Sequence, residues 1–291
     1  MVKTISQLYL ETRRRFMEQE DEQTAGLLTR NLLCHVTGKT PEQIIAQREM
    51  YVSKEVSNDL ETLVQRVLSG EPLAYVLGEW DFHGLKLTVN PDVLIPRDDT
   101  CAVTDMAIRQ ALLLNDNPRI LDLCTGSGCI GLAIAKKIPD GKVTLADVSR
   151  KALDVAKKNV VAHKLTGRVA CVQVDALQKP PTFLGKFDLI VSNPPYITTR
   201  EMLQLPDSVA RYEPRLALHG GSDGLDFYRA IAEHFSGALK PRGYLCFEFG
   251  MGQGDAVCEI LESNGYTVLE RSRDYNDRER AVLARYDRKD V

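Results

Sequence analysis

From Arg119 onward, apolar runs of strand length alternate with amphipathic stretches of helical length, and this alternation restricts the possible folds more than any other feature of the chain. Strands are predicted at Ile120–Leu123, Val143–Ala146, Val169–Val174, Phe187–Val191, Tyr244–Phe249, Thr267–Glu270 and Ala281–Ala284. Helices are predicted between most of them, at Ile130–Lys137, Ser149–His163, Leu225–Leu239 and Ala256–Ser263. Such alternation implies an α/β fold, a mostly parallel sheet with helices on both faces. Only a polar stretch around Tyr275–Arg280 separates the last two strands, so they are expected to pair antiparallel at one end of the sheet.

Upstream the pattern is helical. Ile5, Leu8, Tyr9, Thr12 and Phe16 follow a helical period. Thr40-Pro41 is a helix start, a cap followed by proline in the first turn. Ser53 can cap a further helix carrying Val56, Leu60, Leu63, Val64 and Val67 and closed by Gly70. A small helical bundle ending near Gly70 is predicted. Phe82, Leu85, Leu87 and Val89 then read as strand, with His83-Gly84 able to turn the chain into a hairpin. Pro91 and Pro96 punctuate a connector that leads into a helix from about Thr100 to Leu114.

The net charge is -3, whereas a chain gripping duplex nucleic acid over many phosphates usually carries a basic excess. No direct nucleic-acid binding is expected. The 7 cysteines are odd in number and lack C-x-x-C spacing, and the 5 histidines are dispersed. Neither a disulfide framework nor a metal site is predicted. No apolar run reaches spanning length, so no membrane segment and a cytoplasmic location are expected.

The segment Ile120 to Gly131 runs from a strand through a glycine turn into a helix. Gly126 and Gly128 permit the backbone angles and close approach that a ligand-binding turn needs. Asp147 ends the next strand, about 20 residues further on, the interval at which an acid meets ribose hydroxyls. Each hydrogen bond to that carboxylate is worth roughly 1.5–3 kcal/mol. Because Gly126 to Gly131 also satisfies G-x-G-x-x-G, a nicotinamide oxidoreductase is a rival reading. Asp122 favours the other side, since an acid before the turn suits the amino group of S-adenosylmethionine and repels a pyrophosphate. Asp175, after the third strand, is either an acceptor for an adenine amino group or a turn residue before Pro180-Pro181.

The fourth strand ends in Ser192-Asn193-Pro194-Pro195-Tyr196. The prolines stiffen the backbone and remove two N–H donors. Acceptors remain, the Asn193 side-chain oxygen and the Pro194 carbonyl, with the Tyr196 ring beyond. Two acceptors and a flat ring suit a planar NH2 group. Such a nitrogen is a poor nucleophile, and holding both hydrogens stabilises the charge it develops on attacking a methyl group. Amides of proteins and exocyclic amines of nucleic-acid bases both fit. A non-catalytic protein retaining the fold would have no need of both motifs.

With these motifs and the segments around them, the chain resembles the HemK/PrmC family of release factor glutamine N5-methyltransferases. The resemblance includes Glu71-Pro72-Leu73-Ala74-Tyr75, Gly78, Phe82, Leu94-Ile95-Pro96-Arg97, Arg211-Tyr212-Glu213-Pro214, Leu216-Ala217-Leu218, Gly224-Leu225-Asp226, Phe247-Glu248 and Arg273-Asp274-Tyr275. It implies a Rossmann-like class I methyltransferase with a seven-stranded sheet at 99–291, an N-terminal helical substrate-recognition domain at 1–78 and a β-hairpin linker at 79–98. It implies methyl transfer from S-adenosyl-L-methionine, leaving S-adenosyl-L-homocysteine, to the side-chain nitrogen of the glutamine in the Gly-Gly-Gln motif of class-1 peptide chain release factors. Cofactor contacts are expected from Asp122, Cys124, Thr125, Gly126, Ser127, Gly128, Asp147, Asp175, Ala176 and Asn193. Substrate contacts are expected from Asn193, Pro194, Pro195 and Tyr196, with Asn193, Pro194 and Tyr196 acting in catalysis. Two departures stand out. Cys124 occupies a position where the family usually has glycine, so a backbone tolerant of side chains is expected there. Arg97-Asp98-Asp99-Thr100-Cys101 replaces the more usual Arg-Pro-acid-Thr-Glu of the segment that closes the pocket.

Overall fold

The computed structural model describes residues 3–114 and 116–287. It divides into two compact units, Met1–Gly78 with Asp207–Tyr212, and Glu79–Pro206 with Glu213–Val291.

The first unit is helical: α1 (Ile5–Phe16), α2 (Glu22–Thr37), α3 (Pro41–Ala46), α4 (Lys54–Leu68) and α5 (Leu73–Leu77). Thr4 and Gln7 form a reciprocal capping box at α1, as Thr40 and Gln43 do at α3, and Ser53 Oγ accepts from Val56 N at α4. Ile5, Leu8 and Phe16 meet Leu32, Leu33, Leu60 and Val64 in one core. The periodicity reading does not anticipate α2 or α5. In α2 the core-facing row includes Thr29, whose hydroxyl donates back to Ala25 O, while Leu27 is exposed, so the apolar stripe is blurred. At five residues, α5 is too short to display a period. Tyr212 Oη donates to Ser69 O at 3.2 Å, tying the distant segment Asp207–Tyr212, which contains α9 (Asp207–Ala210), into this unit.

The second unit begins with the hairpin β1 (Glu79–Phe82) and β2 (Leu85–Thr88), turned by His83 and Gly84, both at positive φ. Phe82 and Leu87 are buried in the same core as Val103 and Met106 of α6 (Cys101–Leu112). A seven-stranded sheet follows: β3 (Arg119–Leu123), β4 (Lys142–Asp147), β5 (Val169–Gln173), β6 (Phe187–Ser192), β7 (Leu239–Glu248), β8 (Tyr266–Arg273) and β9 (Glu279–Tyr286), in the order β5-β4-β3-β6-β7-β9-β8. Pairing is parallel through β7, whereas β9 runs antiparallel to both its neighbours. The final strand is therefore threaded between β7 and β8. Its Ala281–Ala284 stretch is buried, whereas β8, with exposed Glu270 and Arg273, takes the edge, where charges deter further pairing. Helices α7 (Cys129–Lys137) and α8 (Arg150–Ala162) join α6 on one face, with α10 (Asp226–His234) and α11 (Gly254–Ser263) on the other. Side chains alternate between the faces, Ile120 toward the first and Leu121 toward the second.

Candidate active site

From β3 the chain steps outward to β4 and β5, then returns to the other side of β3 with β6 and β7. Such a reversal leaves a crevice at the carboxyl ends of the central strands, where open α/β sheets bind ligands. A cavity of about 220 Å3 occupies it here. Its wall contains Cys124, Thr125, Gly126 and Ser127 after β3, Asp147 at the end of β4, Asp175 and Ala176 after β5, and Asn193 and Pro195 after β6. Asp122, Gly128, Pro194 and Tyr196 are not on that wall.

Asp122 lies beneath the glycine loop. It is 0% exposed, and its Oδ2 accepts from Thr125 Oγ1 at 2.6 Å and Gly131 N at 2.9 Å. The expected contact between this carboxylate and a ligand amino group is replaced by support of the loop from behind. Period-two alternation turns Asp122 onto the face covered by α7, so its oxygen meets the helix backbone. Burial raises its pKa to about 7, opposed by the Thr125 and Gly131 donors. Oδ1 has no hydrogen-bond partner among the described residues. Gly128 begins α7 at φ +86°, with Leu145 and Leu132 packed so close that even a methyl group would press on them. Cys124 overturns one expectation. Its φ is +62°, left-handed, so the position where the family usually has glycine strains the side chain it carries. Burial drives the Cys124 thiol pKa upward, which leaves it protonated.

Asp147 accepts from Gly126 N and Ser149 N, both at 2.9 Å, and burial is the main cause of its raised pKa. Asp175 is a turn residue, its Oδ1 accepting from Leu177 N at 2.9 Å, and it also lines the cavity. Val148, Ala152, Val174 and Leu177 make the neighbouring wall apolar. A carboxylate able to accept hydrogen bonds from hydroxyls, a glycine loop and an apolar slot together fit an adenosine. Among the described residues no cluster of His, Cys, Asp or Glu could hold a metal ion.

After β6 the Asn193–Tyr196 segment is packed from behind by glycines. A Cβ on Gly224, at φ +76°, would stand 2.3 Å from Tyr196 O, and one on Gly250 would stand 3.0 Å from the Tyr196 ring. Gln253 Nε2 donates to Tyr196 O at 3.0 Å. The ring is therefore drawn toward the core, and the structure does not bring it to the cavity as a stacking face. Asn193 Nδ2 donates to Thr100 Oγ1 at 3.3 Å. Among the described residues, neither Asn193 Oδ1 nor the Pro194 carbonyl accepts a hydrogen bond.

Several residues that sequence reasoning passed over hold this arrangement. Asn159 of α8, fully buried, accepts from Thr88 N and donates to Thr88 O and Ser127 O, joining the hairpin to the glycine loop. Glu213 pairs with Arg97 and accepts from Ile95 N at 3.2 Å, bracing the opposite wall. Arg280 pairs with Asp99 at 3.0 Å and Asp274 at 3.2 Å. Thus Arg97, Asp99 and Thr100 of the altered segment each tie to a different element, and neither Asp98 nor Cys101 is needed for those ties. Of these, Ile95, Arg97, Glu213 and Asp274 lie in segments that carry the resemblance, and Asp99 and Thr100 in the segment that departs from it. Asn159 sits alone in a helix with no motif around it.

The sheet order and crevice define a class I methyltransferase fold. The hMettl16 catalytic domain in complex with the MAT2A 3'UTR hairpin 6 shares it, with a TM-score of 0.56 at 16% identity over 89% of this chain and 94% of that one. Residues 105–209 match the methyltransferase small domain and residues 7–78 the PrmC N-terminal domain. The release factor glutamine methyltransferase of Clostridium acetobutylicum is 38% identical over 87% of this chain and 88% of its own length. The bifunctional methyltransferase of Rickettsia typhi is 34% identical over 88% of this chain, which spans 52% of that longer protein. The chain belongs to the release factor glutamine methyltransferase family.

Proposed function

We propose that this enzyme transfers a methyl group from S-adenosyl-L-methionine to the side-chain amide nitrogen (N5) of the glutamine in the Gly-Gly-Gln motif of class-1 peptide chain release factors, leaving S-adenosyl-L-homocysteine. The observation that carries the reading is Asn193 Oδ1, on the cavity wall at the strand end beside the glycine loop, with the Pro194 carbonyl next in the chain; among the described residues neither acceptor is used. An amide NH2 offers two donors to match them. When bound, the cofactor supplies a methyl group already activated by its sulfonium charge.

The protein's share of the work is alignment and electrostatics. Asp147 would hold ribose hydroxyls, the Cys124–Ser127 loop the amino-acid end, and Asp175-Ala176 the adenine edge. Asn193 and Pro194 hold both amide hydrogens, which favours pyramidal nitrogen and stabilises the charge developing on it. No strong base is required, because the proton leaves after the nitrogen has become cationic. The N-terminal helical unit, whose residues bring no group to the cavity wall, grips the release factor. Among the described residues no helix is long and apolar enough to cross a membrane, and a partner engaged in translation fits a cytoplasmic enzyme.

Incubation with cofactor and a purified class-1 release factor, followed by mass mapping, tests the proposal. A single methyl group on the Gly-Gly-Gln glutamine is expected. Methyl transfer to RNA or DNA with none to release factor would replace it with the base-modifying reading.

A further inference from the structure

A carboxamide has an oxygen end and a nitrogen end of nearly the same shape, and Asn193 accepts a hydrogen bond from substrate only with its oxygen toward the cavity. Nothing within the side chain decides which end that is. Behind it, the end of β7 carries Glu248, 1% exposed. A carboxylate accepts and never donates. Ser192 pairs with Phe247, so Glu248, the next residue on β7, stands beside Asn193 at the strand ends, and Asn193 Nδ2 donates to Thr100 Oγ1 at 3.3 Å. Thr100 and Asn193 line the cavity, whereas Glu248 does not. Its Oε2 has no hydrogen-bond partner among the described residues. The nearby Tyr228 hydroxyl donates to the Glu248 backbone carbonyl, at 3.0 Å, and not to its carboxylate.

We infer that Glu248 is a positioning residue: as a buried acceptor it binds the nitrogen end of Asn193, directly and through Thr100, and so turns Asn193 Oδ1 toward the amide that is to be methylated. The inference rests on the methyl-transfer reading above. It explains why a carboxylate is kept at a buried strand end, where burying an unpaired charge is costly. The charged groups facing it come from three other elements. Arg280 of β9 favours its ionised form, Asp99 before α6 opposes that form, and the Tyr196 hydroxyl is coupled to it. Arg280 is itself shared with Asp99 and Asp274, so its charge is partly spent elsewhere. Burial pushes the Glu248 pKa up to about 7, opposed by Thr100, Arg280 and Asn193. Around neutrality the group therefore passes between a pure acceptor and an acid with a proton to donate.

Glu248→Gln keeps the shape and loses the rule, because its own NH2 end can face Asn193. Methyl transfer to purified release factor is followed with kcat and KM resolved, from about pH 6 to 9, a range that brackets the carboxyl titration. In the variant, kcat is expected to fall about 10- to 100-fold, the scale of one misaligned polar group, with KM for the cofactor nearly unchanged. The wild-type rise of kcat through pH of about 7 should vanish. An unchanged kcat in Glu248→Gln overturns the inference. So does an acid limb that persists in Glu248→Gln but disappears in Asp122→Asn, whose carboxyl titrates in the same range. If Glu248→Gln does not fold, Thr100→Ser should keep activity and Thr100→Val should lose it, and equal activity of that pair overturns the inference. A wild-type enzyme inactive on release factor removes the functional reading and this inference together. An active wild type with an equally active Glu248→Gln removes the inference alone.

Discussion

At Cys124 the backbone is left-handed, φ +62°, and a side chain there costs roughly 1–2 kcal/mol relative to glycine. Replacing it with glycine removes that strain but adds about 0.5–1 kcal/mol of chain entropy to be lost on folding. Cys124→Gly is therefore expected to be at least as stable as wild type, and Cys124→Val, branched at Cβ, clearly less stable; urea midpoints of the two variants check this. Asp122 supplies a prediction with a sign. Its folded pKa, about 7, is raised from 3.8 because burial disfavours the ionised form. Its contribution to stability is fully present below the unfolded value and is lost as pH rises through about 7. Asn cannot titrate, so wild type should lose stability relative to Asp122→Asn between about pH 4 and 7. Denaturation at both ends of that range is the measurement, and a flat difference would mean that the carboxyl is not held neutral. Neither property is legible locally. The sequence around Cys124 and Asp122 announces a turn, while the sign of φ and the depth of burial depend on α7 packing against β3 and β4.

Between elements, the most exacting joint is Asn159, which satisfies Thr88 N, Thr88 O and Ser127 O with one side chain. Removing it leaves Ser127 O buried and unpaired, at roughly 1–3 kcal/mol, and frees the part-buried Thr88 N and O as well. Asn159→Ala should lower the urea midpoint and speed amide exchange at Thr88, and weaker cofactor binding should follow because Ser127 lies in the loop. Wild-type exchange at Thr88 would show that the joint carries no load. Most of the strands and helices of the second unit were legible because their apolar residues follow clean periods of two or of about 3.6. The misses have physical causes. Thr29 interrupts the stripe of α2, and the place of β9 between β7 and β8 depends on burial of Ala281–Ala284 on both faces, not on any turn signal. The sequence suggested an antiparallel end to the sheet; it held no information on which of the two strands would be the edge.

For the whole molecule, the two units carry different tasks in the proposed function, and that division can be tested. A chain beginning at Glu79 should still bind cofactor, because every residue on the cavity wall lies in the second unit. On a short Gly-Gly-Gln peptide it should work as the full chain does, and on intact release factor it should show a KM raised by about tenfold or more, as lost binding away from the reacting group predicts. Unchanged KM on intact release factor would remove the recognition role from the N-terminal helices. Because Asp207–Tyr212 clusters with the first unit, the truncation also deprives Tyr212 of its Ser69 partner. Tyr212→Phe in the full chain, which loses only that hydrogen bond, is the control and should leave KM on intact release factor close to wild type.

Local chemistry alone determined the parallel α/β class, the helical character of the first seventy or so residues, the hairpin at His83-Gly84 and the strand ends that bear the glycine loop, Asp147 and Asn193. Each is decided by neighbours within a few residues, through side-chain period, turn propensity and caps. Tertiary structure alone decided that Asp122 supports the loop from below, that Tyr196 packs toward Gly250, and that Glu248, Thr100, Arg280 and Asp99 converge behind Asn193. These groups are far apart in the chain, and only the order of strands in the sheet brings them within reach of one another.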